Sequence, residues 1–152
     1  NSDEQKAHCH LTLGQIATDE QHFEAALKHF TTALEMNPKQ KKIAYVLHNN
    51  TAYCLNMLHS YAEAELQCRL AIEVNWTRAS GYRNLGISLK GQAKIAEAVW
   101  ALVEAVKLDV SDERARLLLR KLIEENPDVL VRCPWAIEGL TPSASDENTP
   151  RN

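Results

Sequence analysis

Glycine and proline are scarce, five of each in 152 residues, so long stretches are free to be helical. Aromatic residues make up only 6% of the chain, too few for a set of base-stacking platforms. Charge of one sign never gathers into a block, and the net charge is −3. That excludes a general nucleic-acid binder, which needs a basic face to release counterions. No apolar run reaches the roughly 20 residues that span a membrane, and no signal-peptide pattern opens the chain. The expected partner is thus neither nucleic acid nor membrane. The start Asn1-Ser2-Asp3 has no initiator Met and reads as a cut from a longer protein.

Catalytic and metal signatures are equally thin. There is no Gly-rich phosphate loop, nucleophile elbow or metalloprotease motif, so neither an enzyme nor a cofactor is expected. Cys9, Cys54, Cys68 and Cys133 match no zinc or redox spacing. Cys54 and Cys68 fall on apolar helix positions, where a free cysteine acts as a small hydrophobe, and a reduced, cytoplasmic protein is expected. His8-Cys9-His10 resembles a metal cluster, but adjacent helical residues point about 100° apart. His22 and His29 are seven residues apart, too far for one ion. Glu124-Glu125 and Asp19-Glu20 read as helix-end acids, the latter favourable near a helix start on dipole grounds.

What the chain does have is a repeat. Small residues recur at Gly14, Ala26 and Ala33, at Ala52, Ala64 and Ala71, and at Gly86, Ala98 and Ala105. The internal spacing is twelve and then seven each time. The sets are displaced by 38 and then 34 residues, so four residues are inserted between the first two. Larger residues keep the same frame: Phe23, Tyr61 and Ile95, then Phe30, Cys68 and Leu102. Each repeat holds two apolar stripes at helical spacing with a short break between them. Small residues at the crossing of two antiparallel helices let the backbones approach, and large ones fill the space beside them. One such hairpin cannot bury both faces, so neighbours must stack.

Helices are expected at about 4–17, 22–36, 40–57, 60–74, 78–90, 94–108 and 112–125. The insert Lys41-Lys42-Ile43-Ala44 should lengthen the third at its start. Ser60-Tyr61-Ala62-Glu63 has the form of a capping box, Gly91 suits a left-handed helix end, and Pro38 and Pro127 lie past helices they cannot continue. The seventh helix, with Arg114, Arg116, Arg120 and Lys121, suits a cap with one wet face.

The pattern resembles the tetratricopeptide repeat. The third copy carries it best, with Tyr82, Leu85, Gly86, Leu89, Ala98, Leu102 and Ala105. The first supplies Leu13, Gly14, Ala26, Phe30, Ala33 and Pro38. The second, the loosest, has His48, Thr51, Ala52, Leu55, Ala64, Cys68 and Ala71. The resemblance implies an all-α, right-handed superhelix of three antiparallel helix pairs with a seventh, capping helix. The domain would run over 1–125, with repeats at about 7–40, 45–78 and 79–112 and the cap at about 112–125. Residues 126–140 hold Val129, Leu130, Val131, Trp135, Ile137 and Leu140. They are expected to pack on the last helices, and docking on another subunit or into a groove stays open. Residues 141–152 are polar and expected to be disordered.

In that family the first helix of each repeat lines a concave surface. Repeat positions two, five, nine and twelve share a helix face. They give His8, Leu11, Gln15 and Thr18, then Val46, Asn49, Tyr53 and Asn56, then Ser80, Arg83, Ile87 and Lys90. Asn50 and Asn84 lie beside them at position six, and the cap adds Arg114, Leu117 and Lys121. The centre is rich in amides, which can pair with any peptide backbone. Arg83, Lys90, Arg114 and Lys121 would suit an acidic group at the third repeat.

The layout also resembles the co-chaperone and immunophilin domains that grip the EEVD end of chaperones with a carboxylate clamp. The clamp positions here hold Leu11, Gln15, Asn50, Ser80 and Asn84. Only Asn50 matches, and all three cations are absent. The expected function is a scaffold that holds an extended peptide of a partner protein in its groove. Two alternatives stay open: an assembly module that self-associates through its convex face or the Trp135 segment, and a regulatory module of a larger co-chaperone- or isomerase-type protein.

Overall fold

The computed structural model describes residues 2–141, and among these there are helices and turns but no strand. Three helix pairs follow one another: α1 (Ser2–Asp19) with α2 (Phe23–Glu35), α3 (Lys41–Met57) with α4 (Tyr61–Val74), and α5 (Ala79–Gly91) with α6 (Ile95–Leu108). Then come α7 (Glu113–Glu125), the short α8 (Val129–Arg132) and a 3-10 turn at Pro134–Gly139. The four-residue insert is absorbed at the start of α3, which has 17 residues where α5 has 13. The tail expected to be disordered lies outside the described residues, except for Thr141.

The small residues make the close crossings. A Cβ added to Gly86 would stand 2.6 Å from Leu102 Cγ, and one at Gly14 would overlap the Phe30 ring. In the second pair Ala52 replaces the glycine, and the facing position holds the shorter Cys68. Both are fully buried. Burial pushes the Cys68 thiol up to about 12 and also raises Cys54, as fits cysteines used as hydrophobes.

Each pair turns through the same motif. Gln21, His59 and Ala93 adopt left-handed φ of 62°, 61° and 58°, displaced by the same 38 and 34 residues as the repeat. In each turn the following residue's N–H reaches back five residues: His22 to Ala17, Ser60 to Leu55, and Lys94 to Leu89. This is a Schellman end built without glycine. It corrects two expectations. Gly91 is not the left-handed residue but the last of α5, where an added Cβ would strike the Tyr61 ring. The capping box at Ser60 does not form, and Ser60 makes no side-chain cap bond. Its N–H is already spent on Leu55, so Glu63 has no donor to reach, and its ψ of 63° departs from the extended backbone that an N-cap favours.

The first helices of successive pairs touch, α1 to α3 and α3 to α5, whereas α2, α4 and α6 meet one another little or not at all. The stack is therefore tighter on the odd-numbered side, which is concave. Two side chains, Tyr45 and Glu65, join neighbouring repeats. The Tyr45 hydroxyl accepts the Gly81 N–H at 2.9 Å and pairs with the Ser80 hydroxyl at 2.7 Å. It thereby caps α5, whose own N-cap residue, Arg78, makes no side-chain bond to it. Glu65 of α4 accepts from Gln92 at 2.9 Å and Lys94 at 3.0 Å, and pairs with Arg69 at 3.1 Å. Residues 126–140 lie on the last helices, with Val129, Cys133 and Ala136 in one buried cluster with Leu119 and Leu122.

Two outcomes follow. In an open helix, Gly→Ala gains up to about 1 kcal/mol, but Gly86→Ala should cost about 1–3 kcal/mol through overpacking, read as a lower urea midpoint. Partial burial pushes the Glu65 carboxyl up, but hydrogen bonds from Lys94, Gln92 and Arg69 more than reverse this and hold it at about 2. Its stabilisation is full above the unfolded carboxyl value of about 4.3 and is lost as pH falls through about 2. The stability gap between wild type and Glu65→Gln should shrink over that window in a pH series of melting curves.

Candidate functional site

The concave side carries two adjoining hollows. One, of about 240 Å³, is lined by Asn49, Asn50 and Tyr53 of α3, Arg83, Asn84 and Ile87 of α5, and Arg114 and Leu118 of α7. The other, of about 330 Å³, is lined by Gln15, Thr18 and Asp19 of α1 and by Asn50. Asn50 belongs to both and joins them into one groove across all four odd-numbered helices.

Its floor is a chain of amides. Asn84 Nδ2 donates to Asn49 Oδ1 at 2.9 Å, and Asn56 Nδ2 donates to the Asn84 backbone carbonyl at 3.1 Å. The first bond uses one donor of Asn84 and one acceptor site of Asn49. The Asn49 NH₂ keeps capacity for a further partner, while Asn84, only 4% exposed, acts mainly as the brace that holds Asn49. Beside them Tyr53 is held edge-on to Phe23 at 6.1 Å between ring centroids.

The sequence-predicted residues separate into three groups. Gln15, Thr18, Asn49, Asn50, Tyr53, Arg83, Asn84, Ile87 and Arg114 come together in the groove. Leu11 and Asn56 do not: Leu11 is 5% exposed and packs in the core of the first pair, and Asn56 is 6% exposed and braces α5 from below. His8 lines a separate hollow with Glu4, Gln5, Cys9, Gln40 and Ile43. Lys90 is turned to Glu125 at 3.5 Å, and Lys121 is exposed but lines neither hollow. Sequence reasoning passed over Asp19 and chose Leu117, which is 62% exposed, where Leu118 lines the groove. The signal for Leu118 was its spacing of four from Arg114, the alternative helical neighbour to the spacing of three that selected Leu117.

Electrostatics revise the basic end. Arg83 Nη1 donates to Asp112 Oδ2 at 2.5 Å, and Asp112 is 8% exposed. The other oxygen of Asp112 accepts the Ala115 N–H at 3.0 Å and caps α7. Arg83 is therefore already neutralised, and among the described residues Arg114 and Lys121 are cations of this end with no ion pair. Asp19 also requires a correction: it is the last residue of α1, not near a helix start, so the helix dipole opposes its charge. Among the described residues no three His, Cys, Asp or Glu side chains converge as a metal site, although His10 and His29 bring their Nδ1 atoms to 3.2 Å.

No protein-family model matches the chain. The Hsp70-Hsp90 organizing protein of Triticum aestivum is 30% identical over 100 residues, 66% of this chain and 16% of that protein. The first TPR of Spaghetti (RPAP3), solved bound to the HSP90 peptide SRMEEVD, superposes with a TM-score of 0.73 at 24% identity, covering 80% of this chain and 94% of that one. The Hsp90 co-chaperone Cns1 from Saccharomyces cerevisiae superposes with a TM-score of 0.80 at 18% identity, covering 89% of this chain and 44% of that one. The chain folds as a tetratricopeptide-repeat domain. Its three helix pairs and α7 form the right-handed superhelix of that family. The chain spans about one sixth of the length of the wheat relative. No helix of this tetratricopeptide domain, among the described residues, is long and apolar enough to cross a membrane.

Asp112 serves both the cap and the groove, and its variants should separate the two. Asp112→Ala removes the cap acceptor and strands Arg83, and should cost roughly 2–3 kcal/mol. Asp112→Asn keeps a capping oxygen and should cost less, as read from chemical denaturation of the two variants side by side.

Proposed function

We propose that this domain is a protein-interaction scaffold that holds an extended peptide segment of a partner in its concave groove. The observation that carries the reading is the Asn49–Asn84 amide pair on the groove floor. Asn84 engages the Asn49 oxygen and leaves its NH₂, and Asn50 alongside brings a whole amide, together matching the C=O and N–H that any extended backbone presents. Ile87, Leu118 and the Tyr53 ring beside them supply apolar contact. An acidic group of the ligand would be met by Arg114, which has no ion pair among the described residues.

The reading separates this groove from one that grips an acidic terminus. The RPAP3 relative is solved with the peptide SRMEEVD. Here Leu11, at the first clamp position, is in the core. Ser80 is engaged by Tyr45, and Asn84 is engaged by Asn49. A chaperone-type tail would find none of the clamp's three cations at those positions, and of its residues only Asn50 is matched, in the groove. Self-association through the Trp135 segment has less support: Val129, Cys133 and Ala136 are committed to the domain's own core, and only Val131, Trp135 and Ile137 of that segment are left as large exposed apolar side chains.

The test is selection of a displayed random-dodecapeptide library on the immobilised chain. Selected peptides, resynthesised, should bind Asn49→Ala/Asn50→Ala about tenfold more weakly, the ~1.4 kcal/mol expected for one or two net hydrogen bonds, while its far-UV circular dichroism at the assay temperature matches wild type, its melt falling modestly because Asn84 Nδ2 loses its acceptor. Equal affinity for the variant would overturn the groove assignment. SRMEEVD, added as a competitor, should fail to displace the selected peptides.

A further inference from the structure

We infer that the α1 end of the groove is a subsite for a basic side chain, Lys or Arg, of the bound peptide, with Asp19 as its counter-ion. The inference rests on the peptide-groove reading and deepens it.

Asp19 is placed against the interest of its own helix. It ends α1, where backbone carbonyls leave partial negative charge and a cation is favoured, and the last turn of α1 contains no basic residue. α5 and α6 carry Lys90 and Lys107 in their last turns, whereas α2, α3, α4 and α7, like α1, have no basic residue there. Nor does a neighbour compensate. Among the described residues Asp19 has no ion pair and no side-chain hydrogen bond, whereas Asp112 and Glu125, at the other end of the groove, are paired with Arg83 and Lys90. What sets Asp19 apart from Glu35, exposed at the end of α2 in the same way, is its place in the groove.

The surroundings of Asp19 suit a cation rather than an anion. It shares its hollow with Gln15, Thr18 and Asn50. The Thr18 hydroxyl is already directed to the Gly14 carbonyl at 2.8 Å. Its oxygen also meets Cys54 Sγ at 3.4 Å. The Gln15 and Asn50 amides can turn their oxygens to an ammonium or guanidinium, and the Asp19 carboxylate supplies the charge that makes the hollow prefer a cation. Asn50 connects this hollow to the amide floor, so a backbone held there can place a side chain against Asp19. At the far end Arg114 is cationic and unpaired. The groove is thus negative at α1, neutral at α3 and α5, and positive at α7, and it selects a dipolar segment over a uniformly acidic one.

The same library decides it, selected in parallel on wild type, Asp19→Asn and Asn49→Ala/Asn50→Ala. Wild-type selections should be enriched in Lys or Arg at one position over the unselected library. A resynthesised selected peptide should bind Asp19→Asn about fivefold more weakly, the scale of an exposed charge pair, and with a shallower dependence on ionic strength. Replacing its basic residue with Met should weaken wild-type binding by the same factor and leave Asp19→Asn binding unchanged. Asp19→Asn should melt no lower than wild type, since it removes an unfavourable helix-end charge. Selections without basic enrichment, or enrichment that persists on Asp19→Asn, would overturn the subsite while the groove stands. Peptides retained by the Asn49/Asn50 variant at full affinity, or no selection at all, would overturn the groove and the subsite with it.

Discussion

The close crossing of paired helices is the constraint on which the rest of this molecule depends. Gly14 and Gly86 give up their side chains so that Phe30 and Leu102 can fill the gap, and the second pair reaches the same separation with Ala52 facing Cys68. That separation fixes where the next pair can stack. Because α1, α3 and α5 touch while α2, α4 and α6 scarcely do, the stack curves and leaves a groove on its tight side. Packing made at the back of each hairpin thus places Asn49 beside Asn84 at the front.

Charge is distributed by a second rule. A carboxylate or guanidinium near the groove is either used in the fold or left to solvent, and the difference separates structural charges from candidate recognition charges. Asp112 holds Arg83 and caps α7 with its two oxygens. Glu65 gathers Arg69, Gln92 and Lys94 where α4 meets the turn into α6. These charges join elements distant in sequence. Asp19 and Arg114 join nothing among the described residues, and they stand at opposite ends of the groove.

Much of the architecture was readable from the chain because helix packing writes itself into spacing: twelve and seven between small residues, 38 and 34 between repeats. Local turn chemistry was less readable. Gly91 looked like the helix end and is a packing glycine, while Ala93 takes the left-handed position that glycine would occupy without strain. Ser60 and Glu63 have the identities of a capping box, but the Schellman turn before them consumes the N–H that the box requires. Face assignment by counting located most groove residues and misplaced Leu11 and Asn56, since residues three or four apart fan across a wider arc than the groove. The Arg83–Asp112 pair spans 29 positions and has no local signature, so Arg83 read as an available cation.

The Tyr45 hydroxyl at the start of α5 has a consequence for how the chain divides. A helix capped by a side chain from the preceding repeat is not self-sufficient, so the stretch that repeats in sequence differs from the stretch that is whole in structure. A transplant of residues 79–112 into another solenoid would arrive without the group that finishes its first helix. The portable unit begins earlier, at α3, and it carries the boundary between two hairpins within it.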